Sequence, residues 1–204
     1  NEAVLLQDIQ TDALDGQITF NGSYATRENK LQPAIAMDYT IRNVDMQQAF
    51  YAYNTVQKLM PVGQFISGRL SSQMNLTGIL GKDMMPDLST LTGSGNLFLL
   101  EGVLKKFAPV EKLASELGLS DLQEISLKDV KNYFQFSQGK MLVKPFNLKV
   151  KDIQMQVGGM QGIDQSMDYL VMMKVPRSLI GSKGNALVNG LISQANAQGI
   201  PASV

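Results

Sequence analysis

The most constraining feature of this chain is a run of alternating apolar and polar residues between Asn132 and Lys174. Phe134 and Phe136 alternate with Tyr133, Gln135 and Ser137. Leu148 and Val150 alternate with Asn147, Lys149 and Lys151. Ile153, Met155 and Val157 follow in the same manner, and Tyr169, Val171 and Met173 close the series. Gln138-Gly139 and Gly158-Gly159 punctuate it. Successive side chains on a strand point to opposite faces, so a period of two gives every strand one apolar face. Connections this short join only antiparallel neighbours. The stretch therefore predicts a four-strand β-meander over 132–174, apolar on one side, which must set something against that side.

Upstream the same signal recurs. Ile18 and Phe20 alternate behind an Asp15-Gly16 turn, and Ile35, Met37, Tyr39 and Ile41 alternate without a break, which predicts strands within 3–44. Asp45 suits an N-cap, and Met46, Ala49, Phe50, Tyr53, Val56 and Met60 recur three or four apart up to Pro61, predicting one amphipathic helix over 46–60. Strands are expected within 66–107. Leu70, Met74 and Leu76 share a face there, and Leu97 to Leu100 are apolar on both sides, as in a central strand covered twice. Pro109 and Gly118 bracket a helix, and Ser120 with Gln123 fits a further turn, giving helices within 109–125. Asn185 reads as the cap of a helix over 186–197 with Leu187, Val188, Leu191, Ile192 and Ala195 on one face. The expected fold is α+β: a single domain over 1–204 built on a mainly antiparallel, strongly curved sheet, with a few amphipathic helices over one face or the ends. A loose recurrence of turn, alternating strand and turn adds weak support for repeated β units.

Composition removes most chemistry. The chain has no Cys, no His and no Trp, so thiol catalysis, His-dependent triads and the commonest zinc, copper and iron ligands are excluded. Lys+Arg and Asp+Glu balance at 18 each without a basic block, which argues against nucleic acid as a partner. No apolar run approaches the roughly 20 residues of a membrane-spanning helix. The chain begins Asn-Glu with no initiator Met, and reads as a piece of something longer.

The remaining motifs are weak. Gly93-Ser94-Gly95 lacks the third Gly of a dinucleotide loop and reads as a turn, and Gly181 to Asn185 lacks the Ser/Thr of a phosphate loop. Ser137 and Lys140 have the spacing of a serine–lysine pair but straddle a turn. Asp8, Asp12, Asp15, Asp83 and Asp87 lack the dense oxygen ligands of a calcium loop. No catalytic residue, metal site or cofactor is expected, and the protein is read as no enzyme. The twelve Met residues are the compositional oddity. Met37, Met74, Met155 and Met173 fall in the alternating sets, where they suit either ordinary core or a groove for flexible acyl chains.

The succession DGQITFNGSY, PAIAMDYTIRNVDMQQAF, SGRLSSQMNLTGILGKDMMPDLSTLTGSGNL, NYFQFSQGKMLVKPFNLKV and SMDYLVMMKVPRSLIG resembles the C-terminal region of bacterial AsmA-like proteins of the Bacteroidetes type, over essentially the whole chain. That resemblance implies a β-groove with an apolar floor facing the periplasm, in a protein anchored in the inner membrane by a segment absent here. It also implies a role in phospholipid transport and outer-membrane biogenesis. Phospholipid or another acyl lipid would be the partner, with envelope proteins as further partners. The expected groove lining is Ile35, Met37, Tyr39, Ile41, Leu70, Met74, Leu76, Phe134, Phe136, Ile153, Met155, Val157, Tyr169, Val171 and Met173. A strand of about ten residues spans roughly 33 Å, the reach of an acyl chain with its headgroup. Two readings stand: lipid binding in such a groove, or a structural and assembly module whose helices pack the same face as ordinary core and which acts through protein contacts.

Overall fold

A computed structural model describes residues 2–26, 31–162, 164 and 166–197. Its framework is one antiparallel sheet that does not close. The strands are β1 (Ala3–Ala13), β2 (Gly16–Ala25), β3 (Ala34–Asp45), β4 (Ile66–Ser67), β5 (Arg69–Ile79), β6 (Thr92–Lys105), β7 (Glu124–Ser137), β8 (Lys140–Val150), β9 (Ile153–Gly162) and β10 (Met167–Lys174). They lie side by side in chain order from β1 to β10, with the two-residue β4 paired to β6 off the main path. The α+β expectation holds. The meander extends past the 132–174 segment to the whole sheet, and its first strand starts at Glu124.

Hairpin chemistry sets the register. Leu14-Asp15 and Gln138-Gly139 all have positive φ, as two-residue hairpin turns that follow the sheet twist require. The tip between β2 and β3 falls partly on residues 27–30, outside the described residues. Four irregularities then shift the apolar phase by one residue. Asp8 (φ 51°) and Asn43 (φ 58°) mark two and Pro145 lies in a third, between Val143 and Phe146, each with a slip in pairing. At the fourth, Asp129 (φ 58°), the buried side chains change parity while the β6–β7 register stays continuous. Bulges bend a strand and tighten its twist, and a proline is tolerated there because it owes the ladder no N–H.

Helical segments cover one end of one face. Asp45 caps α1 (Met46–Ala52) as expected, its carboxylate accepting the Gln48 N–H at 2.8 Å. The single helix expected over 46–60 is broken: Tyr53 is extended, and α2 (Asn54–Leu59) runs into a 3-10 turn over Pro61–Phe65. The break lets Met46, Ala49 and Phe50 enter the core while Tyr51 and Tyr53 stay in solvent. Helix α3 (Ala108–Leu117) ends on Gly118 (φ 69°), and only a 3-10 turn over Ser120–Gln123 follows it, so 109–125 holds one α-helix. Helix α4 (Ser182–Ala197) starts earlier than expected. Asn185 lies inside it, its amide N–H groups donating to the Ile180 and Gly181 carbonyls instead of capping. Helix α4 packs against α3, and Leu187 and Leu191 remain exposed, so its expected apolar face is not sealed along its length. Gly93-Ser94-Gly95, expected as a turn, lies within β6. That strand is central, but only one of its faces is covered: Leu100 is exposed, and Phe98 meets the Lys131 ammonium 5.3 Å from its ring.

Candidate functional site

Residues directly opposite across antiparallel strands share a face, so the pairings trace complete rows over the sheet. One row runs Leu6, Gly22, Met37, Leu76, Gly93, Phe136, Met141, Gln161 and Met167. The next runs Ile9, Phe20, Tyr39, Met74, Gly95, Phe134, Val143, Gly159 and Tyr169. All fifteen residues expected to line a groove lie on this one face. Ile35 and Ile41 follow Met37 and Tyr39 by alternation, and Leu70 follows Leu76 and Met74. Phe146 opposite Val157 and Leu148 opposite Met155 carry the face to Val171 and Met173.

Burial divides the face into three zones. At one end, Leu70, Ile153 and Met155 lie in a core with Met46 and Phe50 of α1, Ala114 of α3, Leu119 and Leu122, and Ile41 and Met173 pack against it. In the middle, Leu76, Phe134 and Phe136 form a second cluster with Leu91 and Met141, against which Met37 and Met74 pack. The two rings meet edge-on at 5.5 Å. Phe134 folds over Gly95, where an added Cβ would come within 2.6 Å of the ring, so the missing side chain makes room for the aromatic. Between the clusters runs a polar seam. Ser72 donates to the Asn96 carbonyl at 2.7 Å, the Tyr39 hydroxyl lies 3.2 Å from Ser72 Oγ, and Asn132 donates to the Lys144 carbonyl at 2.8 Å. Burial pushes the Tyr39 hydroxyl above the usual tyrosine range, a rise opposed by its bond to Ser72.

The third zone is the two flanks. Val4 (58% exposed), Leu6 and Ile9 on β1 present apolar surface to solvent, as do Met167, Tyr169 and Val171 (46% exposed) on β10. Partial burial alone raises the Tyr169 pKa. Alternation within 132–174 named Tyr169 and Val171. The same reasoning missed Val4, Leu6, Ile9, Phe20, Leu97, Met141, Val143, Phe146 and Met167, which share the face.

The opposite face is polar at its centre, with exposed apolar residues towards its edges, among them Leu5, Leu142, Met160, Leu170 and Met172. A hollow of about 440 Å³ lies on that side between β3 and β8, and its lining includes Asp38, Thr40, Gln73, Asn75, Asn96, Tyr133 and Lys144. No cluster of three or more potential metal-ligating side chains occurs among the described residues. Ser137 and Lys140 face each other across the Gln138-Gly139 turn as hairpin ends. Asp83 and Asp87 accept local backbone N–H groups in loop turns. Among the described residues no helix is long and apolar enough to cross a membrane. Compared with known proteins, the chain matches no family model, no curated protein and no solved structure.

Proposed function

We propose that this chain is a non-enzymatic β-groove segment of AsmA-like type that binds lipid acyl chains along its apolar face. In that reading it contributes to phospholipid transport and outer-membrane biogenesis, facing the periplasm in a protein anchored in the inner membrane. The observation that carries the reading is the uncovered part of that face. The apolar side chains of β1 and β10 continue the rows of the packed centre but stand in solvent. A fully buried methylene gains about 0.8 kcal/mol and one covered on a single side gains less, so an acyl chain lying along a flank is held by the sum over many methylenes, without nucleophile, base or metal. Met167 adapts to flexible chains, and the Tyr169 hydroxyl supplies a polar tip beside it.

One observation favours the alternative of a structural module acting through protein contacts. The middle of the face is filled by the protein's own side chains, Phe134, Phe136 and Leu76 in one cluster and Leu70, Ile153 and Met155 in the other. The two readings separate on one experiment. Native mass spectrometry of the purified chain, with uptake of a fluorescent fatty-acyl probe, should show bound phospholipid and saturable uptake. Ile9→Glu and Val171→Glu should lower uptake while the far-UV circular dichroism is unchanged. A chain that carries no lipid and takes up no probe is a scaffold.

A further inference from the structure

Strand β10 is an edge strand with the composition of an interior one. On the groove face it exposes Met167, Tyr169 and Val171; on the other face it exposes Leu170 (66%) and Met172 (52%). Leu142 and Met160 extend this second patch onto β8 and β9, where the two residues are directly paired. Strands apolar on both faces belong inside sheets, and natural edges are blunted by proline, bulges or inward charges. Strand β10 has a continuous register with β9, no proline and no bulge. Strand β1, at the other edge, is interrupted at Asp8 and carries Asp8 and Asp12.

We infer that β10 is a self-association edge, pairing antiparallel with β10 of a second copy about a two-fold axis through Val171. The sequence MDYLVMMK selects that register. Centred on Val171, Asp168 of each copy stands opposite Lys174 of the other, Leu170 opposite Met172, and Tyr169 opposite Met173. The joint thus has two opposite-charge pairs at its ends and apolar pairs on both faces between them. Moving the centre to Leu170 puts Asp168 opposite Met172, and moving it to Met172 puts Lys174 opposite Leu170. Both alternatives forfeit the charge pairs and desolvate a charge against an apolar side chain. The seven residues 168–174 of each strand then pair, forming about six to eight inter-strand hydrogen bonds. A two-fold perpendicular to the sheet keeps the groove faces of both copies on one side. The joint needs no lipid to form, although Tyr169 and Val171 belong both to it and to the flank proposed to hold acyl chains.

The test is sedimentation equilibrium of the purified chain at low salt over a concentration series, with charge-swapped variants. The parent chain is expected to dimerise. Asp168→Lys and Lys174→Asp each place like charges opposite one another twice per dimer, and each should raise the dissociation constant about tenfold or more. The double variant Asp168→Lys/Lys174→Asp recreates the pairs in reverse and should return it to the parent value. A parent that stays monomeric, a dimer indifferent to the single reversals, or a double variant no tighter than the singles overturns the inference.

Discussion

Placing a carboxylate at two points of the groove face tests the division of that face into packed centre and open flank. Met155 is 6% exposed, opposite Met173 and Leu148 and within the core beneath α1 and α3. In Met155→Glu the new carboxyl has no cation within that core and avoids burial as an anion by taking up a proton. Protonating a glutamic acid of ordinary pKa near 4.3 at pH 7 costs about 3.7 kcal/mol, at about 1.4 kcal/mol per pH unit. Lost methionine burial adds about 1.5–3 kcal/mol, for a total of about 5–7 kcal/mol at pH 7. Because the folded-state pKa is raised, the folded variant is least penalised below pH about 4.3 and loses stability as pH rises towards the folded value. Urea unfolding at neutral pH and near pH 4 measures both quantities. Val171→Glu, on the same face one strand away and nearly half exposed, should cost about 1 kcal/mol or less and show no such pH slope. Equal stability of parent and Met155→Glu at pH 7 would refute the packed centre.

Further predictions concern the seam, the aromatic cluster and the first helix. Tyr39→Phe should cost about 1 kcal/mol at neutral pH, since Ser72 keeps its bond to the Asn96 carbonyl. The raised Tyr39 pKa makes the parent lose stability above pH about 10, where the unfolded chain ionises first. The phenylalanine variant should lose less between pH about 9 and 11 by urea midpoint, while Tyr169 adds a loss of the same sign in both proteins. Phe134→Ala, which empties the space over Gly95 and beside Phe136, should destabilise by about 3–5 kcal/mol in the same assay. Asp45→Ala removes the side-chain acceptor of the Gln48 N–H and should cost about 1 kcal/mol, read as a lower thermal midpoint.

How far the sequence disclosed this arrangement depends on phase. Wherever the period of two was unbroken, as in Ile35 to Ile41, Phe134 to Phe136 and Ile153 to Val157, alternation assigned each residue to the face on which the register places it. Where a bulge intervenes, the apolar residues change parity. Leu6 is followed on the face by Ile9, Ile41 by Val44 and Val143 by Phe146, so Ile9, Val44 and Phe146 fall out of step with the residues before them. The cue is chemical: Asp8, Asn43 and Asp129 take the left-handed conformation that Asp and Asn tolerate best among residues with a Cβ. An Asx or Pro thus stands at each phase shift, but Asp38 lies in an unbroken run, so the residue type alone does not locate one. The break at Tyr53 had no such cue, because the stripe from Met46 to Met60 keeps its spacing through it. Burial was not legible at all. Phe134 and Val171 both fall on the period-of-two face of their strands, and only the sheet order, with one central and the other at the edge, packs the first and exposes the second.

The most direct test of an acyl-binding face is where a lipid touches. A fatty acid bearing a diazirine along its tail, photolysed with the folded chain and mapped by peptide mass spectrometry, reports contacts residue by residue. Labelling should concentrate on Val4, Leu6, Ile9, Met167, Tyr169 and Val171, and should be competed away by unlabelled phospholipid. Labelling of the polar face around Gln73, Asn96 and Tyr133, or none that phospholipid displaces, would contradict the account.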